Sequence, residues 1–226
     1  FPPAGATDIF VRILGDKLLE ALGQQIVVDN RAGAAGNIAA EIVSRSVPDG
    51  YTLLMSTLGN VIYASLTDKP TYDLRRDFDA VSQLTSSSFI LFVNPSVSAA
   101  SLKELVALAK AKPNSINYGS SGVGGPSHLS MELFLNATQT TAVHIPYKGS
   151  GPAMPALASG EIQMMFTGLS TAQALMTAGK LRAIAVGRLK RLPGAPEIPT
   201  IDESGIKGFE VSTWYGVNLP ARAPRP

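Results

Sequence analysis

The chain has 226 residues, 45% hydrophobic and 16% charged, which is enough for one large domain or two smaller ones and too apolar for charge-driven disorder. Nineteen Lys and Arg against seventeen Asp and Glu leave a net charge of +2, which makes no case for nucleic acid. The lack of cysteine excludes a disulfide scaffold, thiolate metal sites and a cysteine nucleophile, and no run reaches the roughly 18 apolar residues of a membrane span.

Ile9, Phe10, Ile13, Leu14, Leu18 and Leu22 recur at helical spacing, and Gly23 stands where a helix ends in a left-handed turn. A short apolar strand is expected over 26–28, a weaker helix over 36–46, and a turn at Pro48-Asp49-Gly50 leading into a strand over 51–55. A polar stretch fills 67–79. The next strand is expected over 89–93, and then an amphipathic helix over 101–110 with Ser101 and Glu104 at capping-box spacing. Beyond it the pattern alternates. Strands over 116–118, 143–146, 162–166 and 181–186 are separated by helices over 127–135, 152–158 and 170–178. This alternation predicts an α/β fold with mostly parallel pairing and with ligands bound where strand ends feed helix N-termini. Phe1-Pro2-Pro3 opens inside a loop and Pro224-Arg225-Pro226 closes without an element, so the chain reads as a mature or trimmed piece.

Catalytic motifs are thin. The only histidines, His128 and His144, are sixteen apart, and neither a zinc-protease motif nor a Walker A loop is present. The run from Gly122 to Ser127 keeps two of three dinucleotide-fingerprint glycines, a weak match. No G-x-S-x-G elbow occurs. Ser127 and His128 are neighbours whose side chains would diverge on a helix, so His128 reads first as packing or a ligand contact, and His144 as structural. Three loops carry another chemistry: 3–8, 119–127 and 147–152 each join small residues, hydroxyls and a helix start. That combination binds anions through backbone N–H groups, although any one such loop is equally served by junction-building and capping.

Several segments resemble one family in the right order. Phe1-Pro2-Pro3-Ala4-Gly5-Ala6-Thr7-Asp8 resembles the FPPGGxTD opening of the Bug receptors, the TctC-like solute-binding proteins of tripartite tricarboxylate transporters. Residues 30–37 resemble their NRPGAGGN segment, 48–53 their PDGYTL, 145–149 their HVPYKG, 179–185 their GKLRALA, and 199–205 their PT-x-x-E-x-G. The resemblance spans essentially the whole chain.

It implies a two-lobed, Venus-flytrap protein of the Gram-negative periplasm, with each lobe a mostly parallel sheet flanked by helices. The expected lobes are 1–93, 94–212 and a return crossover over 213–226, with crossings at 91–96 and 209–217; the first strand and last helices of lobe one read as missing. The implied partners are a small mono-, di- or tricarboxylic or amino-acid-like ligand and membrane permease subunits. No cofactor, metal, nucleic acid or membrane insertion is expected, and the protein is expected to be a monomer. By the same resemblance Ala4, Gly5, Ala6, Thr7 and Asp8 match the lobe-one carboxylate loop, with Ala4 in place of a usual Gly. Ser120, Ser127 and His128 match the lobe-two loop. Thr167 and Gly168 stand where many members carry an acidic pair, and Ser56, Thr57, Asn60 and Tyr147 complete the expected ligand-binding set. Asp8 is placed either to face the ligand or to stabilise the positive end of the first helix. Two rivals remain at this point: an α/β enzyme on an acyl or phosphate substrate using Ser127, His128 and Asp8, and a sensor component of a signalling system.

Overall fold

The computed structural model describes residues 1–224; Arg225 and Pro226, part of the expected open C-terminus, lie outside the described residues. Helix α1 (Ala6–Leu22), a 3-10 turn (Ala34–Gly36) and α2 (Asn37–Ser44) precede strand β1 (Leu54–Thr57), which runs directly into α3 (Leu58–Leu66). Then follow β2 (Phe78–Val93), α4 (Leu102–Ala111), β3 (Asn117–Ser120), α5 (Pro126–Thr138), β4 (Val143–Pro146) and α6 (Ser150–Ser159). The chain continues through β5 (Met164–Gly168), α7 (Leu169–Thr177), β6 (Arg182–Val186) and β7 (Ser212–Pro220).

Strand β2 belongs to two sheets. Its first part pairs with β7, from Phe78 opposite Pro220 to Ser88 opposite Ser212, and β7 pairs in turn with β1. From Phe89 onward it pairs instead with β5 and β6. Sheet A is therefore β1-β7-β2, wholly antiparallel, and sheet B is β6-β2-β5-β3-β4. The second crossing comes at Val211, whose carbonyl accepts from Phe89 N at 3.3 Å just before β7 starts.

The α/β class stands as the sequence predicts, with four departures in detail. Among the strands, parallel pairing is confined to β3–β4 and β3–β5, with one further parallel bridge from Val186 to Thr200, because β2 enters sheet B antiparallel to both its neighbours. The first crossing lies at Ser88–Phe89, ahead of the expected 91–96, so sheet B begins five residues before the expected boundary at 94. The strand expected over 26–28 does not form: Val27 is 86% exposed and pairs with nothing among the described residues. Likewise the strand expected over 51–55 is displaced to Leu54–Thr57, leaving Tyr51 91% exposed.

Period-2 alternation along the second part of β2 builds the core of sheet B. Leu91 and Val93 face α4 and α5, in a cluster with Leu105, Tyr118, Met131, Phe134 and Phe166. Ile90 and Phe92 face α6 and α7, with Met154, Leu157, Met165 and Val186. Each such fully buried side chain contributes about 1.5–3 kcal/mol, so this half is a firm three-layer body. Sheet A has a smaller core of Ala40, Val43, Leu54, Tyr72 and Phe78. The two bodies meet along the crossings, and the site lies there.

Candidate functional site

Five helices begin at one gap between the sheets. Gly5, Ala6 and Thr7 bring in the start of α1, Thr57 that of α3, and Pro126 and Ser127 that of α5; Gly149 and Ser150 bring in α6, and Gly168 brings in α7. The gap holds about 550 Å³ of empty space, part of it open to solvent. Thr213 and Tyr215 of β7 close it on one side, and Phe89 with residues 165–167 on the other, joined by Phe1, Pro2 and Ser121.

Four of the five helix starts are uncapped. The N-cap positions of α1, α5, α6 and α7 are Gly5, Gly125, Gly149 and Gly168, none of which has a side chain to accept from the first turn. Their leading N–H groups stay open to a bound acceptor, and each helix presents about half a positive charge at that end. Only α3 caps itself, with Thr57 Oγ1 accepting from Gly59 N at 3.2 Å. Among the described residues, no Asp, Glu, Lys, Arg or His lines the gap. Its one ionisable side chain, Tyr215, has its pKa pushed up to about 12 by burial and stays neutral. Among the described residues, the hydroxyls of Thr7, Ser150, Thr167, Thr213 and Tyr215 make no hydrogen bond within the protein, and all five line the gap. Uncapped helix starts and unengaged hydroxyls, with no ionised side chain among the described residues, make a site for an anion solvated by neutral donors.

Directly behind this wall the polar side chains are all engaged. Asp8 is buried; Oδ2 accepts from Ala4 N at 3.1 Å and Arg12 Nε at 3.0 Å, and Oδ1 from Asn30 Nδ2 at 3.1 Å. The hydrogen bond from Arg12, more than any other contact, holds its carboxyl below the usual range. Asp8 thus anchors the 3–8 loop, and its bond to Ala4 N stabilises Ala4 at φ 64°, a left-handed conformation that favours glycine. Ser56 donates to Gly216 O and Asn218 Oδ1, tying β1 to β7. Asn60 accepts from Thr57 N at 2.9 Å and donates to Asn37 and Tyr72.

On sheet B, Ser120 Oγ lies 2.7 Å from His144 Nε2. His128 Nδ1 accepts from Gly124 N at 3.1 Å, and its ring stacks on His144 at 4.1 Å, which stacks on Tyr118 at 4.7 Å. Burial, with the His128 charge second, depresses the His144 pKa to about 4; burial lowers that of His128. Tyr147 points to Glu161, with its hydroxyl donating to Oε1 at 3.0 Å.

The expected ligand set therefore divides. Gly5, Ala6, Thr7, Thr57, Ser127, Thr167 and Gly168 line the gap; Ala4, Asp8, Ser56, Asn60, Ser120, His128 and Tyr147 do not. The rival grouping of Ser127, His128 and Asp8 is not assembled, since Ser127 Oγ bonds to Ser121, His128 to Gly124 and Asp8 to Arg12. Sequence reasoning missed Phe89, Thr213 and Tyr215 as wall residues. They sit at the two crossings, and no motif marks a position that only the sheet topology brings to the gap.

Backbones from the two bodies also touch across the gap. A Cβ on Gly151 would lie 2.8 Å from Pro3 O and 3.4 Å from Gly5 N, and one on Gly125 would lie 3.2 Å from the Cβ of Ala35. A side chain at 151 would push the two backbones apart at this point.

Comparisons with known proteins place the chain among relatives of one family. The family described as "Tripartite tricarboxylate transporter family receptor", TctC, matches residues 10–226. BugT of Bordetella pertussis is 36% identical over 222 residues, 97% of this chain and 68% of its own length, so the chain spans about two thirds of that relative. Rpa4515 of R. palustris, solved with adipate, superposes with a TM-score of 0.95 at 36% identity, over 99% of this chain and 75% of that one. MatC from Rhodopseudomonas palustris, solved with bound malate, gives a TM-score of 0.93 at 30% identity, over 99% and 76% of the two chains.

Proposed function

The chain belongs to the tripartite tricarboxylate transporter receptor family, TctC, and from that premise we propose that it captures a small carboxylate in the gap between its two sheets and delivers it to membrane permease subunits. It is a carboxylate-binding receptor of the two-lobed periplasmic type, and the periplasm of a Gram-negative cell is its proposed place of work. We take the lobes as 1–88 and 89–211, with the return into lobe one from Ser212. The ligand-binding set is Gly5, Ala6, Thr7, Thr57, Ser127, Thr167 and Gly168, extended by Ser121, Ser150, Thr213 and Tyr215.

One observation carries the reading: four uncapped helix starts and five unengaged hydroxyls meet in a gap that, among the described residues, has no ionised side chain. Such a wall suits a compact carboxylate, the class to which adipate in Rpa4515 and malate in MatC belong. It offers no fork of arginines for a nucleotide phosphate. No nucleophile–base couple faces the gap, so the protein acts as a receptor that returns its ligand unchanged rather than as an enzyme. A thermal-shift series on the full chain tests this. A mono- or dicarboxylate at a hundred times its dissociation constant stabilises the fold by about 2.7 kcal/mol and is recovered intact by mass spectrometry. Nucleotides that stabilise where carboxylates do not, or an acid consumed during incubation, would contradict it.

A further inference from the structure

We infer that this receptor selects against α-amino acids and takes carboxylates whose body is uncharged. The inference rests on the carboxylate reading above and narrows it. A bound amino acid must place an ammonium within a few ångströms of its carboxylate, and here that carboxylate sits at the convergence of helix starts from both sheets. Each of those starts presents about half a positive charge, so the field that holds the carboxylate repels the ammonium beside it.

Nothing on the wall answers that charge. The acid nearest in sequence, Asp8, has both oxygens taken by Ala4 N, Arg12 and Asn30 and does not line the gap. Glu132 and Glu161 lie behind the wall, pointing to the His128 and Tyr118 side chains and to Tyr147 respectively. The hydroxyls of Thr7, Ser150 and Thr167 can accept a hydrogen bond, but a neutral oxygen supplies no counter-charge, and a desolvated ammonium without one is strongly disfavoured. By contrast, Phe89 and the main chain beside Phe166 give an uncharged hydrocarbon or hydroxylated body ordinary neighbours.

The test is a set of matched pairs differing only by the amine: succinate and L-aspartate, glutarate and L-glutamate, 3-phenylpropionate and L-phenylalanine. Each is titrated calorimetrically into the full chain. At least one amine-free acid is expected to bind, with its amino partner at least tenfold weaker, about 1.4 kcal/mol. An amino acid that binds as tightly as its amine-free partner, or binds alone, overturns the selectivity while leaving the receptor reading intact. A panel in which no acid of either kind binds removes the receptor reading and this inference with it. Thr167→Asp adds a carboxylate to the wall and is expected to narrow the ratio within a binding pair at least fivefold. A folded variant with an unchanged ratio would overturn the electrostatic basis, and if the variant fails to fold, the wild-type pairs decide.

Discussion

The wall of the gap and the layer behind it use the same residue types to opposite ends. Thr7, Thr167 and Thr213 on the wall carry hydroxyls that bond to nothing among the described residues, whereas Ser56, Asn60 and Ser120 off the wall are buried and bonded. The same contrast separates the helix starts, uncapped where they meet the gap at α1, α5, α6 and α7 and capped by Asn60 and Thr57 at α3. A polar side chain therefore declares its role by whether its hydrogen bonds are already made. Ser56, Asn60 and Ser120, with bonds made, hold the shape; Thr7, Thr167 and Thr213, without them, are left for a ligand.

Removing a member of the deeper layer tests that division most severely. Asp8→Ala leaves Ala4 N, Asn30 and Arg12 without their acceptor and should lower the stability of the ligand-free protein by about 3 kcal/mol in urea titration. Because the Asp8 pKa is depressed, its contribution is present above the unfolded value of 3.8 and is lost as pH falls through the lower folded value. A variant as stable as the wild type would move Asp8 out of the structural layer.

Gly151→Ala sharpens the comparison from the other side. Its Cβ would press on Pro3 O, yet alanine favours the first turn of α6, so binding should fall about thirtyfold, about 2 kcal/mol, without loss of stability. Unaltered affinity would mean that the two backbones do not need to approach at this point.

The stacked histidines supply a pH test of the deeper layer. His144 is depressed to about 4 in the fold against 6.5 for the free group, so the unfolded chain binds the extra proton between those values. Stability is full above pH 6.5 and declines as pH falls towards 4, by about 1–2 kcal/mol after solvent screening at a half-buried ring. His144→Gln should flatten this part of the denaturation profile, and an unchanged slope would assign the effect elsewhere. This window lies above that of Asp8, so one pH series separates the two.

Much of the wall was legible in the sequence because glycine, hydroxyl and helix-start signals coincide at 5–7, 126–127 and 149–150. The expected polar residues that do not line the gap carry the same signals. Composition identifies Asp8, Asn60 and His128 as polar, but only the fold supplies Arg12, Asn37 and Gly124 as their partners. The continuous apolar run over 89–93 reads as a strand, whereas 78–88, rich in Ser, Gln and Thr, holds its strand through the ladder to β7 and shows no apolar period. Helix α3 was missed as well, because it follows β1 without an intervening turn.

Two smaller effects probe the wall itself. Thr167→Val keeps the shape and removes one unengaged hydroxyl, so affinity for a bound acid should fall about threefold to tenfold, about 1 kcal/mol, with stability nearly unchanged. Lys148→Met, at an exposed cation beside the wall, should weaken binding by less than about 1 kcal/mol, the range of a solvated ion pair. Calorimetry on both variants orders them. A Lys148 effect larger than that of Thr167 would put a fixed charge where the wall has none.

We propose that backbone N–H groups of uncapped helix starts, rather than an ionic side chain, hold the carboxylate. A crystal structure of the full chain with the tightest-binding amine-free acid tests it most directly. Carboxylate oxygens are expected at about 2.7–3.1 Å from main-chain nitrogens at the starts of α1, α5, α6 or α7, with Thr or Ser hydroxyls completing their coordination. Carboxylate oxygens paired to Lys148 Nζ or another cationic side chain, with those main-chain nitrogens unused, would contradict the account.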